Sequence, residues 1–186
     1  MQKRIRWITE TAVMLALLVA MQALTKPMGQ LVTGSFVNAV LAVTVLVSGL
    51  YSGLVVALVS PVLAYLLNIA PQILTVPVIV VGNMVYVAIL YFFADRRGKK
   101  IAKQVMALLV AAVSKFAVLY LLVVKVICGV LADALLTNGM LKEPMLKALP
   151  ATFSYPQLIT ALIGGTVALL IASMVIRALH AERVKE

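Results

Sequence analysis

Residues 101–131 read IAKQVMALLVAAVSKFAVLYLLVVKVICGVL. As one helix at 1.5 Å per residue this run is roughly 46 Å long, more than the ~30 Å hydrocarbon layer of a bilayer. Beyond Lys103 its only charged residues are Lys115 and Lys125. The whole chain follows suit. Its 186 residues are 64% hydrophobic and 12% charged, with a mean hydropathy of +1.13, whereas soluble domains are about 45–50% apolar and about 25% charged. A soluble domain is excluded, and 101–131 is read as a membrane span long enough to tilt or to project beyond the hydrocarbon.

Working outward, apolar runs broken by Gly, Pro, Asn and charge clusters predict further spans at about 9–24, 36–48, 54–67, 78–94 and 157–176. The second and third are short and separated only by GLYSG, so one re-entrant element is an alternative to two spans. The first apolar run has no small-residue cleavage site followed by a soluble mature domain, and is read as a retained span. The predicted fold class is therefore an all-α membrane protein with six transmembrane helices in one integral-membrane domain over 1–186. An outer loop, 132–156, and a tail, 177–186, complete it. That loop either folds over a site or lies as a plain connector on the bilayer surface.

Six spans put both termini on one side, and the basic residues say which. Lys3, Arg4 and Arg6 precede the first span; Arg96, Arg97, Lys99, Lys100 and Lys103 lie between the fourth and fifth; Arg177, Arg183 and Lys185 follow the sixth. The opposite loops hold only Lys26, Lys142 and Lys147. The positive-inside rule then predicts cytoplasmic termini, with Trp7 as an interfacial anchor. Most of the formal +10 charge is thus a topology signal, suited to anionic lipid, and no nucleic-acid partner is expected.

Chemistry of bond making is not indicated. The sequence holds no Gly-rich phosphate loop, no H-E-x-x-H and no G-x-S-x-G. One cysteine, Cys128, cannot form an internal disulfide or a thiolate cluster, and the lone His180 sits in the basic tail RALHAERVKE. No catalytic residue, metal or cofactor is expected in this chain.

Three features exceed what spanning a membrane requires. Ala12, Ala16 and Ala20 recur every four residues in the first span, a small-residue stripe that lets a second helix approach closely, within this chain or from a partner. Lys115 lies roughly 20 Å along the helix from Lys103, where an ammonium costs about 2.5–3.5 kcal/mol on insertion scales and so faces a cavity, a partner or water. Lys125 is nearer the outer end, within snorkelling reach of the headgroups, and about 80° around an α-helix from Lys115. Finally, Asn38, Asn83 with Tyr86 three residues on, and Gln157 gather toward the outer half, with Gln30, Gln72 and Asn68 beside the outer loops. Amides, a tyrosine and lysine in apolar walls suit a small polar or anionic solute, and the lysines tilt the expectation toward a carboxylate or phosphate.

The order and spacing of TGSFVNAVLAVTVLVSGLYSGLVVALVSPVLAYLLNIAPQ (33–72), VPVIVVGNMVYV (76–87), AAVSKFAVLYL (111–121) and TFSYPQLITALIGG (152–165), with the alanine stripe, resemble the S components of energy-coupling factor (ECF) transporters. The resemblance implies an S-component-like bundle in a prokaryotic cell membrane that binds a vitamin or similar micronutrient on the outer side. It implies as partners a transmembrane T component and two cytoplasmic ATPases, which use the ATP. It implies T-component coupling at Ala12, Ala16 and Ala20, and toppling of the loaded subunit in the membrane. Substrate-binding residues on this reading are Asn38, Asn83, Tyr86, Lys115, Lys125 and Gln157, with Lys115 at the pocket floor or in a buried structural contact. A self-sufficient carrier or channel and a membrane scaffold are the competing classes.

Overall fold

A computed structural model of the chain describes residues 2–69, 72–95 and 100–183, with side chains over 4–69, 72–95 and 100–176. The basic residues Arg96, Arg97, Lys99 and Lys185, and the side chains of Lys3, Arg177 and Arg183, lie outside the described residues. No strand occurs among the described residues. The principal helices are α1 (Gln2–Thr25), α2 (Gln30–Ser48), α3 (Leu50–Leu66), α4 (Val76–Phe93) and α5 (Ile101–Leu119). Two short helices follow, α6 (Ala132–Thr137) and α7 (Glu143–Thr152), and the long α8 (Tyr155–Arg183) closes the described chain.

Each break has a local cause. Pro27 opens a single 3-10 turn, Lys26–Met28, that ends α1, because proline is tolerated only where its missing N–H is not needed. Between α2 and α3 one residue, Gly49, at φ 93° and ψ −178°, reverses the chain in a conformation that favours glycine. Of GLYSG only Gly49 is thus turn, and Leu50 onward belongs to α3; two short helices joined so tightly fit two spans and one re-entrant element alike. Helix α2 begins six residues earlier than the hydropathy pattern predicts, at Gln30 instead of Phe36. The polar and small residues of QLVTGS broke the apolar run without breaking the helix. Helix α5 does not stop at Leu119 but continues as a π-helix over Tyr120–Val130.

Five segments are long and apolar enough to cross a membrane: Arg4–Met28, Gln30–Ser48, Ile73–Phe93, Ile101–Val130 and Tyr155–Ile176. The third expected span, 54–67, falls on a shorter apolar helix, Leu50–Leu66. Side chains such as Leu24, Leu66, Phe92, Val130 and Met174 are exposed on the outer surface of the bundle. An apolar exterior of this kind is stable only against lipid.

Helix α2 lies at the centre, packed against α1, α3, α4 and α8, while α5 packs on α4 and α8. Leu18, Leu41, Val45, Val56, Val87, Leu90, Ala111 and Ala161 form the main core. Helices α2 and α8 approach closely backbone to backbone, where a Cβ on Gly164 would stand 2.2 Å from the Ser35 carbonyl oxygen and 2.8 Å from the Ala39 nitrogen. Only a residue without a side chain permits that approach. A second, smaller cluster of Leu119, Val123, Leu141, Leu149 and Phe153 seats α7 against the π-helical segment. The 132–156 stretch is therefore a packed helical cap and not a surface connector.

Overpacking a close helix contact costs about 1–3 kcal/mol. Gly164→Ala is expected to lower the thermal unfolding midpoint of the detergent-solubilised protein accordingly. Gly129→Ala is the control: a Cβ there would have its nearest contact at 3.7 Å, and it is expected to change stability by less than about 0.5 kcal/mol.

Candidate functional site

The end of the bundle where α1 finishes, α2 begins, α3 finishes and α4 and α8 begin encloses a cavity of about 120 Å³. Gln22 of α1, Gln30, Thr33 and Asn38 of α2, Asn83 of α4 and Lys115 of α5 supply most of its polar lining. Val37, Ala64, Ile69 and Ile79 supply apolar wall. The cap contributes Thr152 and Phe153, and Gln157 enters from the first turn of α8.

Its polar centre is Lys115, which is only 3% exposed. The ammonium donates to Asn38 Oδ1 at 2.6 Å and to Asn83 Oδ1 at 2.7 Å, and lies 5.4 Å from the centre of the Tyr86 ring. The two asparagines are themselves buried. Asn38 is held in turn by its Nδ2, which donates to the Gly34 carbonyl at 2.9 Å and to Thr160 Oγ1 at 3.2 Å. The Thr160 hydroxyl donates on to the Gln157 carbonyl at 3.2 Å. Three helices thus meet on one cation, and a fourth is tied in through Thr160. Neutral amide carbonyls solvate the charge without neutralising it. None of the acidic residues with described side chains, Glu10, Asp95, Asp133 and Glu143, lines the cavity.

Three further contacts tie together the elements at this end of the bundle. Gln157 Nε2 donates to the Thr152 carbonyl at 3.2 Å, joining α8 to the end of α7. Gln72 Nε2 contacts Met145 Sδ, joining the segment before α4 to the cap, and the Lys26 ammonium donates to the Asn68 carbonyl. Gln22, 8% exposed, has an Oε1 with no hydrogen-bond partner among the described residues.

Of the residues expected from sequence, Asn38, Asn83, Lys115 and Gln157 line the cavity. Tyr86 is fully buried behind Lys115 and donates its hydroxyl to the Ala161 carbonyl at 3.3 Å; it supports the floor and does not line it. Lys125 is a correction. It is exposed on the π-helical segment, 5.8 Å from the Tyr120 ring centre, and takes no part in the cavity. The expectation of two lysines serving a solute reduces to one. Sequence reasoning missed Gln22, Thr33, Thr152 and Phe153 as lining residues. Gln22 carried a readable signal, an amide at the end of a span on the helix face opposite the alanines; Thr152 and Phe153 had none until the cap was seen to fold back.

Ala12, Ala16 and Ala20 are all exposed, on the side of α1 away from Thr11, Leu18 and Gln22, which are buried. Packing within this chain, one of the two readings of the stripe, therefore does not account for them.

Residues 7–176 match the family model described as ECF transporter, substrate-specific component. No curated protein and no solved structure matches the chain.

Removing one acceptor from a buried cation costs about 1–3 kcal/mol or more. Asn38→Leu and Asn83→Leu are each expected to destabilise the protein by at least that amount. In a Lys115→Met background either change should cost at least about 0.5 kcal/mol less. Thermal unfolding of the four proteins in each double-mutant cycle checks this, and additive effects would show that Lys115 is not held by the two amides.

Proposed function

Because the chain belongs to the family of substrate-specific components of ECF transporters, we propose that it captures a vitamin or similar micronutrient at the outer face of a prokaryotic cell membrane and hands it inward with a T component and two cytoplasmic ATPases. The observation that carries this reading is the cavity at one end of the bundle, capped by α7 and lined by amides around one lysine. A binding subunit needs a largely enclosed, mostly pre-formed site with a few fixed polar groups, and this end of the molecule supplies one.

Orientation follows from charge. The cavity lies at the end of the bundle opposite Arg4, Arg6, Lys100 and Lys103. With six helices crossing and these basic groups in the cytoplasm, the cavity opens outward and both termini lie inside. Leu50–Leu66, at 17 residues, is at the short limit of a spanning helix. The two-sidedness of α1 supports the partnership. Its alanine stripe is exposed, and a surface of small side chains in lipid suits close packing by a helix of another subunit. ATP hydrolysis belongs to the partner ATPases on this reading, and the chain itself works by binding and by changing its orientation in the membrane.

The test separates coupling from capture. Ala16→Trp is expected to abolish ATP-dependent uptake in cells and to lower recovery of the T component and ATPases with the tagged chain by more than tenfold, as a bulky ring removes the close approach. The purified variant should unfold at the wild-type temperature, since Ala16 is exposed. Solute uptake by the purified chain alone in liposomes, driven by an ion gradient, would overturn the proposal in favour of a self-sufficient carrier.

A further inference from the structure

The cavity states more about its ligand than that it is small and polar. Its one ionic group is Lys115, whose ammonium has three N–H donors, of which Asn38 and Asn83 take two. Both partners are neutral, and the ring beneath it belongs to Tyr86, whose hydroxyl is turned to Ala161. Asp133 and Glu143 sit on the cap, and no acidic side chain among the described residues lines the cavity. A buried cation with no counter-charge among the described residues lacks what buried charges elsewhere have, a partner of opposite sign. Around it the wall is of two kinds. Val37, Ala64, Ile69 and Ile79 are apolar, and Gln22 presents a buried Oε1 that accepts no hydrogen bond within the described residues.

Resting on the substrate-binding reading above, we propose that the ligand is a compact monocarboxylate whose carboxylate binds Lys115, whose body is apolar, and which carries an N–H or O–H group that Gln22 accepts. The carboxylate takes the third ammonium N–H and supplies the missing counter-charge. A single negative charge fits better than a phosphate, which carries about −1.5 to −2 near neutral pH and would leave excess charge buried beside one lysine. The volume of about 120 Å³ suits a compact ligand such as a single ring or short branched chain. The amides on Lys115 act as positioning groups: the Thr160 and Gly34 contacts fix Asn38 with its oxygen toward the ammonium.

The experiment uses the purified full-length chain in detergent and follows thermal unfolding against increasing probe. The probes are matched pairs that differ only in charge, benzoate with benzamide and para-hydroxybenzoate with para-hydroxybenzamide, together with phenyl phosphate. A charge-assisted contact is worth enough for at least about a tenfold preference. The expected result is that the carboxylate member stabilises at concentrations at least tenfold below its amide, that the hydroxylated pair exceeds the plain one, and that Lys115→Met removes the charge preference. Gln22→Leu should remove the advantage of the hydroxyl while keeping that of the carboxylate. Equal midpoints for the two members of every pair, whether both shift or neither does, overturn the proposal, as does a charge preference that survives in Lys115→Met. Stronger stabilisation by phenyl phosphate than by benzoate overturns the carboxylate assignment. Should Lys115→Met fail to fold, the wild-type comparison of acid with amide still decides. Recovery of the T component and ATPases with the wild-type chain reports on the transporter reading independently, so failure of one is not mistaken for failure of the other.

Discussion

One ammonium group in an apolar interior constrains this molecule more than any other single contact. Placing Lys115 within the bundle costs about 2.5–3.5 kcal/mol relative to an apolar residue on insertion scales. Two hydrogen bonds from a charged donor, each worth about 1.5–3 kcal/mol net, offset that cost. They do so only if Asn38 on α2 and Asn83 on α4 stand within reach of the same nitrogen, at 2.6 and 2.7 Å. Lys115 therefore fixes the relative placement of three helices. Through Asn38 and Thr160 it reaches a fourth, because the Asn38 amide is oriented by the hydroxyl of α8. All four of these helices contribute to the cavity wall, so the group that holds them is also the group that gives the cavity its charge.

Small residues set how closely those helices pack. Gly164 admits the backbone of α2 to a distance that any Cβ would obstruct, and so brings Thr160, one turn earlier on α8, within reach of Asn38. In lipid, where apolar side chains gain nothing by leaving the solvent for each other, such fits and interhelical hydrogen bonds are what hold helices together. The same physics reads oppositely on α1. The Thr11 and Ser52 hydroxyls are hydrogen-bonded at 2.9 Å and turn one face of α1 inward, leaving Ala12, Ala16 and Ala20 exposed on the outside.

Much of this was legible in the residues. Hydropathy and charge clusters located the helices, with ends displaced by up to seven residues, because a spanning segment must be apolar along its length whatever it packs against. Helix ends were less legible: QLVTGS carries turn-forming residues yet is helical from Gln30, since polar residues near a membrane surface interrupt hydropathy without interrupting backbone hydrogen bonding. Lys115, Asn38, Asn83 and Gln157 stood out as polar residues where apolar ones are cheaper, and the cavity gathers all four. Lys125 stood out for the same reason and is not in the cavity, because the π-helical segment carries it onto the exposed surface beside Tyr120. Composition registers that a charge is present, but not which way a helix turns it. Thr152 and Phe153 were illegible for a different reason. Their place depends on α7 folding back onto Leu119 and Val123, a long-range contact that no local pattern encodes.

The arrangement of α1 joins the two halves of the proposed function on one rigid element. Gln22 lies on the buried face of the helix and looks into the cavity, while Ala16 and Ala20 lie on the exposed face within two turns of it. A ligand that satisfies Gln22 Oε1 adds a contact between α1 and the rest of the site, and a helix bears that contact along its whole length. If a partner helix packs on the alanines, the ligand and the partner act on opposite faces of the same few turns. Any difference in how firmly α1 is held with and without ligand is then felt at the partner surface by thermodynamic reciprocity, with no need for a chain of intermediaries across the bundle.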